Sequence, residues 1–240
     1  VIEFFYIHYT FITHFVEFLA AVTGVFYYKK YAETAAKYFI WFLIFIAFCE
    51  IANIYTKYVR PDEALSFLIG TKFEKNHWWS TTYWDVGAIL FFVFYYYQVL
   101  NTKLFKNILK SIGYLFLLFS VILIALNWQK FFLQFFTEFD LFGALIIFLC
   151  SVFYFIELLL SDKVLTFYKS LNFYISATIF IWWLVITPFA FYNIYYTYEV
   201  GKSFIDKDFV LIRFLIFLFA NIFMYSTFTF ALIWCKPQND

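Results

Sequence analysis

The residues best able to do chemistry in this chain sit inside its most apolar stretches. His14 and Glu17 stand three apart within HFVEFLA, Glu50 and Asn53 three apart within FCEIANI, and Asn221 within LFANIFM. Residues three or four apart share one face of a helix. Thr10, His14, Glu17, Ala21 and Gly24 therefore form one stripe, and Ala47, Glu50 and Asn53 another. Two carboxylates held close in a low dielectric share a proton, because like charges raise one pKa. A histidine beside them favours their ionisation. Such a cluster relays protons or holds a ligand. The competing reading is that each group is satisfied locally and pins helix packing.

A secondary set lies nearer the ends of the apolar runs: Glu157, Asp85 and Arg213. Glu157 closes a stripe through Gly143, Ile147, Cys150 and Tyr154, within reach of headgroups or a lysine. Pro188, in WWLVITPFAFY, removes a backbone donor and predicts a bend that can serve as a hinge. The His-x-x-Glu step also puts two metal-ligand types on one face. Di-iron carboxylate bundles, however, need Glu-x-x-His on two helices. The chain has three histidines, His8, His14 and His77, so no metal site is expected.

These groups must be positioned by membrane helices. Of 240 residues, 65% are hydrophobic and 14% charged, with a mean hydropathy of +0.80. A soluble domain is nearer half apolar and a quarter charged. A bilayer core of about 30 Å needs roughly 20 apolar residues per helix. Seven runs meet or approach that, at about 4–28, 38–58, 83–100, 111–128, 138–160, 171–196 and 210–235. The fold class expected is all-α: one polytopic transmembrane domain over 1–240, a bundle of seven helices. The opening run reads as a span and not as a leader peptide, since no basic segment precedes it. Ala20 and Gly24 make a small-xxx-small pair that invites close helix approach.

Lysine and arginine set the orientation. The compact loops around 29–37, 101–110 and 161–170 are basic, with few acids, while the opposite face mixes both signs. The N-terminus is therefore placed outside and the C-terminus inside, with 59–82 as the long outer loop. That loop ends in NHWWSTTYW, whose Trp78, Trp79, Tyr83 and Trp84 suit a membrane–water belt or a ligand-stacking patch. The 40 Phe and 21 Tyr reflect AT-rich codons.

Several chemistries fail on missing parts. The last run has no lysine for a retinal Schiff base, and no histidine follows His77. Facing histidines for haem, phosphate loops and nucleophile elbows are missing as well. Cys49, Cys150 and Cys235 make no CxxC pair. A net charge of +1 gives no basic surface for nucleic acid. The reading is non-enzymatic, with no cofactor.

Short motifs recur along the chain: Val16-Glu17-Phe18, Tyr27-Tyr28-Lys29-Lys30, Lys37-Tyr38-Phe39, and Glu50 followed by Asn53. Later come Tyr154-Phe155-Ile156-Glu157-Leu158, Ser161-Asp162-Lys163, and Phe173-Tyr174-Ile175-Ser176 with Pro188 beyond. In these the chain resembles small seven-helix inner-membrane proteins of AT-rich bacteria, often encoded beside sensor histidine kinases and without an assigned activity. The resemblance implies signalling by association. The leading expectation is thus a membrane sensor or signalling partner, touching a cytoplasmic protein through its basic loops, in a cell inner membrane. A small proton- or cation-coupled transporter or channel is the alternative. A structural subunit of a larger complex, in an organelle inner membrane, is the third.

Overall fold

A computed structural model describes residues 2–191 and 207–237. Among these the chain is helical, without a β-strand. In order come α1 (Ile2–Tyr31), α2 (Ala36–Asn53), α3 (His77–Ser80), a π-helix (Thr81–Ala88), α4 (Ile89–Val99), α5 (Lys103–Leu126), α6 (Trp128–Leu133), α7 (Thr137–Leu159), α8 (Leu171–Phe191) and α9 (Lys207–Trp234). Six helices among the described residues are long and apolar enough to cross a membrane: Phe4–Tyr31, Ala36–Tyr58, Lys103–Leu126, Thr137–Leu159, Leu171–Phe189 and Phe209–Trp234. The protein is therefore an integral membrane protein in contact with lipid. The expected third span, 83–100, corresponds to the π-helix followed by α4, which is not one regular helix. The end of the expected sixth span, 192–196, lies outside the described residues, as does the loop after it up to 206.

The chain forms two compact units, 1–40 with 158–240, and 41–157. In the first, α1 and α9 lie side by side and run parallel. The Tyr9 and Phe214 rings lie tilted against each other with centroids 4.4 Å apart. At the other end, the Tyr31 hydroxyl donates to the Cys235 carbonyl at 3.0 Å. α8 runs antiparallel to α9, pairing Phe189 with Phe209 and Tyr174 with Phe230. The close approach expected near Ala20 and Gly24 is present. Ala20 is fully buried, and a Cβ on Gly24 would lie 3.1 Å from Ile40.

In the second unit four helical runs alternate in direction. The Phe42 and Phe91 rings stack at 4.1 Å, so α4 descends against rising α2. α5 rises against α4, with Gly113 set so close that a Cβ would lie 2.9 Å from Val93 Cγ1. α7 descends against α5, through Phe119–Phe142 at 4.9 Å and Phe105–Phe153 at 4.3 Å. α5 begins two turns before the apolar run at 111 does. Its first turns carry Lys103, Lys106 and Lys110, long side chains that snorkel while their stems cover apolar surface. Lys106 lies over the Tyr97 ring at 5.6 Å. The long loop is shorter than 59–82, because helix resumes at His77.

Candidate functional site

The second unit holds the best-organised polar group. Glu50, in the last turn of α2, accepts a hydrogen bond from the Tyr83 hydroxyl at 2.5 Å on Oε1. Its Oε2 accepts from Asn53 Nδ2 at 3.3 Å. The same Asn53 nitrogen donates to the Tyr83 hydroxyl oxygen at 2.7 Å. Asn53 Oδ1 accepts from Asn76 Nδ2 at 3.1 Å. The Tyr83 bond to Glu50 is the shortest of this set. Trp79 adds a bond from its indole N–H to the Cys49 carbonyl at 3.2 Å.

The local backbone carries Tyr83 there. π-Helix is rare and often marks functional positions. Here Gly87 permits it: a Cβ at that position would stand 3.0 Å from the Thr82 carbonyl oxygen. The wide turn carries Tyr83, which is 4% exposed, onto the Glu50 carboxylate. Asp85 lies on the same π-helix.

A second carboxylate works at the far end of α4. Glu157 accepts from the backbone N–H of Asn101 at 2.8 Å and of Thr102 at 2.6 Å. The first N–H groups of a helix lack intrahelical partners, and an anion there is favoured by the helix dipole. α5 starts with Lys103 and no acid in its first turn, and the Thr102 side chain makes no cap bond. Glu157 supplies from α7 the cap that α5 lacks. Sequence reading aimed it at headgroups or a lysine; backbone amides hold it instead.

The first unit holds the remaining residues. Glu17 is 3% exposed. His14 Nδ1 donates to the Thr10 carbonyl of its own helix at 2.6 Å. Asn221 Oδ1 accepts from the Trp182 indole N–H at 2.9 Å, joining α9 to α8. Arg213 lies over the Phe217 ring at 5.3 Å. Pro188 sits inside α8, where the Thr187 hydroxyl turns back to the Trp183 carbonyl at 2.5 Å. Of the expected cluster, Glu50 and Asn53 are bonded to each other in one unit, while His14, Glu17 and Asn221 belong to the other unit.

Tyr83, Asn76 and Trp182 were not singled out as cluster members. Aromatics near span ends read as an interfacial belt, and only the Trp182–Asn221 depth match could have signalled otherwise. Among the described residues no three His, Cys, Asp or Glu side chains gather to hold a metal ion. The three cysteines are buried and none is in a disulfide. Comparison with family models, with curated proteins and with solved structures returns no match.

Proposed function

We propose that this protein is a seven-span, non-enzymatic sensor of a cell inner membrane, with its N-terminus outside. The observation that carries the reading is the Glu50–Tyr83–Asn53 clasp, tied through Asn76 to the long loop. In this reading the loop takes the input, and α4 carries it to the Glu157 clasp and the basic turns beyond, where a cytoplasmic partner docks. Each hydrogen bond of this part-buried clasp is worth about 0.5–1.5 kcal/mol. That is enough to tilt an element with two arrangements a few kcal/mol apart.

The direction of the helices supports seven crossings. α2 and α5 both run antiparallel to α4, so they point the same way. A chain cannot cross twice in one direction without returning between, and the stretch from about 83 to 99 is the only helix available for the return. The parallel pair α1 and α9 likewise calls for an odd number. The orientation rests on the basic loops.

Hydrogen exchange in lipid nanodiscs tests the sensor. Tyr83→Phe and Glu50→Gln are expected to speed exchange both in the long loop and at 100–106. Faster exchange confined to the loop would leave nothing transmitted, and the reading would fail. The buried Glu17 favours a transporter as the second reading. Proton flux in proteoliposomes that disappears in Glu17→Gln would establish it in place of the sensor.

A further inference from the structure

Where α1 ends, α8 begins and α9 runs out, three segments of the first unit enclose an open depression lined by Tyr31, Thr34, Ser170, Asn172 and Lys236. We propose that it binds the phosphate of an anionic phospholipid headgroup. The inference needs only that the protein spans a membrane, and stands apart from the sensing reading.

The lining is polar, yet mostly withdrawn from solvent. Tyr31 is 1% exposed, Ser170 2%, and Thr34 and Asn172 8% each. It is also held in place. The Tyr31 hydroxyl is shared between the Leu232 and Cys235 carbonyls, at 3.1 and 3.0 Å. The Thr34 hydroxyl donates to the Tyr31 carbonyl at 2.9 Å. The Lys236 N–H donates to the Lys169 carbonyl at 3.1 Å, which ties the tail to the segment just before α8. Lys30 is bonded to the Leu232 and Ile233 carbonyls, so it closes the end of α9, and Lys236 is the lysine on the lining itself.

Charge points to an anion. The described segments 29–37, 161–170 and 235–237 carry six lysines against Glu33 and Asp162. Depth points to a lipid. Tyr31, Leu171 and Trp234 are the terminal residues of three membrane-length helices, so the depression lies at headgroup level. On its membrane side, α8 and α9 present a continuous apolar flank: Tyr174 packs on Phe230, and Phe230 stacks with Trp234. Phe230 and Trp234 are 48% and 62% exposed. An acyl chain hanging from a phosphate in the depression would lie along that flank. Basic pockets at the ends of membrane helices are a recognised headgroup chemistry.

Native mass spectrometry of the full chain tests this, with phosphatidylglycerol and phosphatidylcholine as probes. Wild type is expected to retain one phosphatidylglycerol in preference to phosphatidylcholine. Lys236→Ala should weaken that retention about fivefold, the effect of one cation at an anionic surface. Lys110→Ala removes the same charge from a residue outside that lining and should leave retention unchanged. Equal losses in Lys236→Ala and Lys110→Ala would mean diffuse attraction and overturn the proposal. Displacement of the lipid by millimolar inorganic phosphate would overturn it too, assigning the depression to a free anion.

Discussion

Replacing Glu157 isolates one interaction whose size follows from its geometry. Its carboxylate takes two backbone N–H bonds, at 2.8 and 2.6 Å, lengths typical of charge-assisted bonds. Loss of an N-terminal cap costs about 0.5–2 kcal/mol, and the dipole share is about 0.3–1 kcal/mol. Asn101 and Thr102 are exposed, so water replaces part of what Glu157 gives and screening trims the charge. Glu157→Ala is therefore expected to cost about 1–2 kcal/mol, or roughly 5–30-fold in the local opening equilibrium. Glu157→Gln keeps the shape and one acceptor but drops the charge. It should cost about two- to fivefold, the dipole share alone. Residue-resolved hydrogen exchange of Asn101, Thr102 and the first turn of α5 reads both values. If exchange there stays within a factor of two of wild type in Glu157→Ala, the clasp contributes nothing and the capping argument is wrong.

Gly113→Ala should destabilise the protein by about 1–3 kcal/mol through overpacking, because its Cβ would stand 2.9 Å from Val93 Cγ1. Unfolding by SDS titration measures it, and Val93→Ala in the same chain should recover most of the loss. Burial pushes the Cys235 thiol up to about 11, with Lys30 opposing. Maleimide labelling of Cys235 should thus be slow at pH 8 and rise toward pH 11. The same shift means that the unfolded chain loses this proton first, so stability falls as pH climbs from about 9 toward 11. Tyr31→Phe removes the hydroxyl shared by the Leu232 and Cys235 carbonyls and should speed labelling at pH 8. Unchanged labelling would mean that Tyr31 does not secure the end of α9.

The apolar run lengths carry most of this fold. Phe4–Tyr31 and Thr137–Leu159 lie within a few residues of the expected 4–28 and 138–160, because twenty apolar residues in lipid have few alternatives to a helix. The start of α5 was not legible. Lys103, Lys106 and Lys110 look like loop until Glu157 arrives from 50 residues away to cap them. The π-helix was hidden for a related reason: Thr81 to Ala88 carries no period of its own, and only tertiary contact selects it over an α-turn. Helical spacing did find the Glu50–Asn53 pair, a local property. It could not find Tyr83 or Asn76, since their contribution depends on how separate segments dock.

That docking has a geometric consequence for the proposed sensing mechanism. Losing the extra residue of a π-turn would rotate the helix beyond it by about 100° and slide it by about 1.5 Å, one residue's worth of α-helix. For α4 such a shift would take Val93 off Gly113 and drag the Asn101 and Thr102 amides out of line with Glu157. Release of Tyr83 from Glu50 and opening of the Glu157 clasp are then two ends of one movement, opposed by the packing at Gly113. Tyr83→Phe should accordingly raise exchange at Thr102 more in a Val93→Ala background than in wild type, where the close contact resists the turn. Additive effects of the two substitutions would mean that α4 does not move as a unit, and the loop and the basic turns would then have no mechanical connection through it.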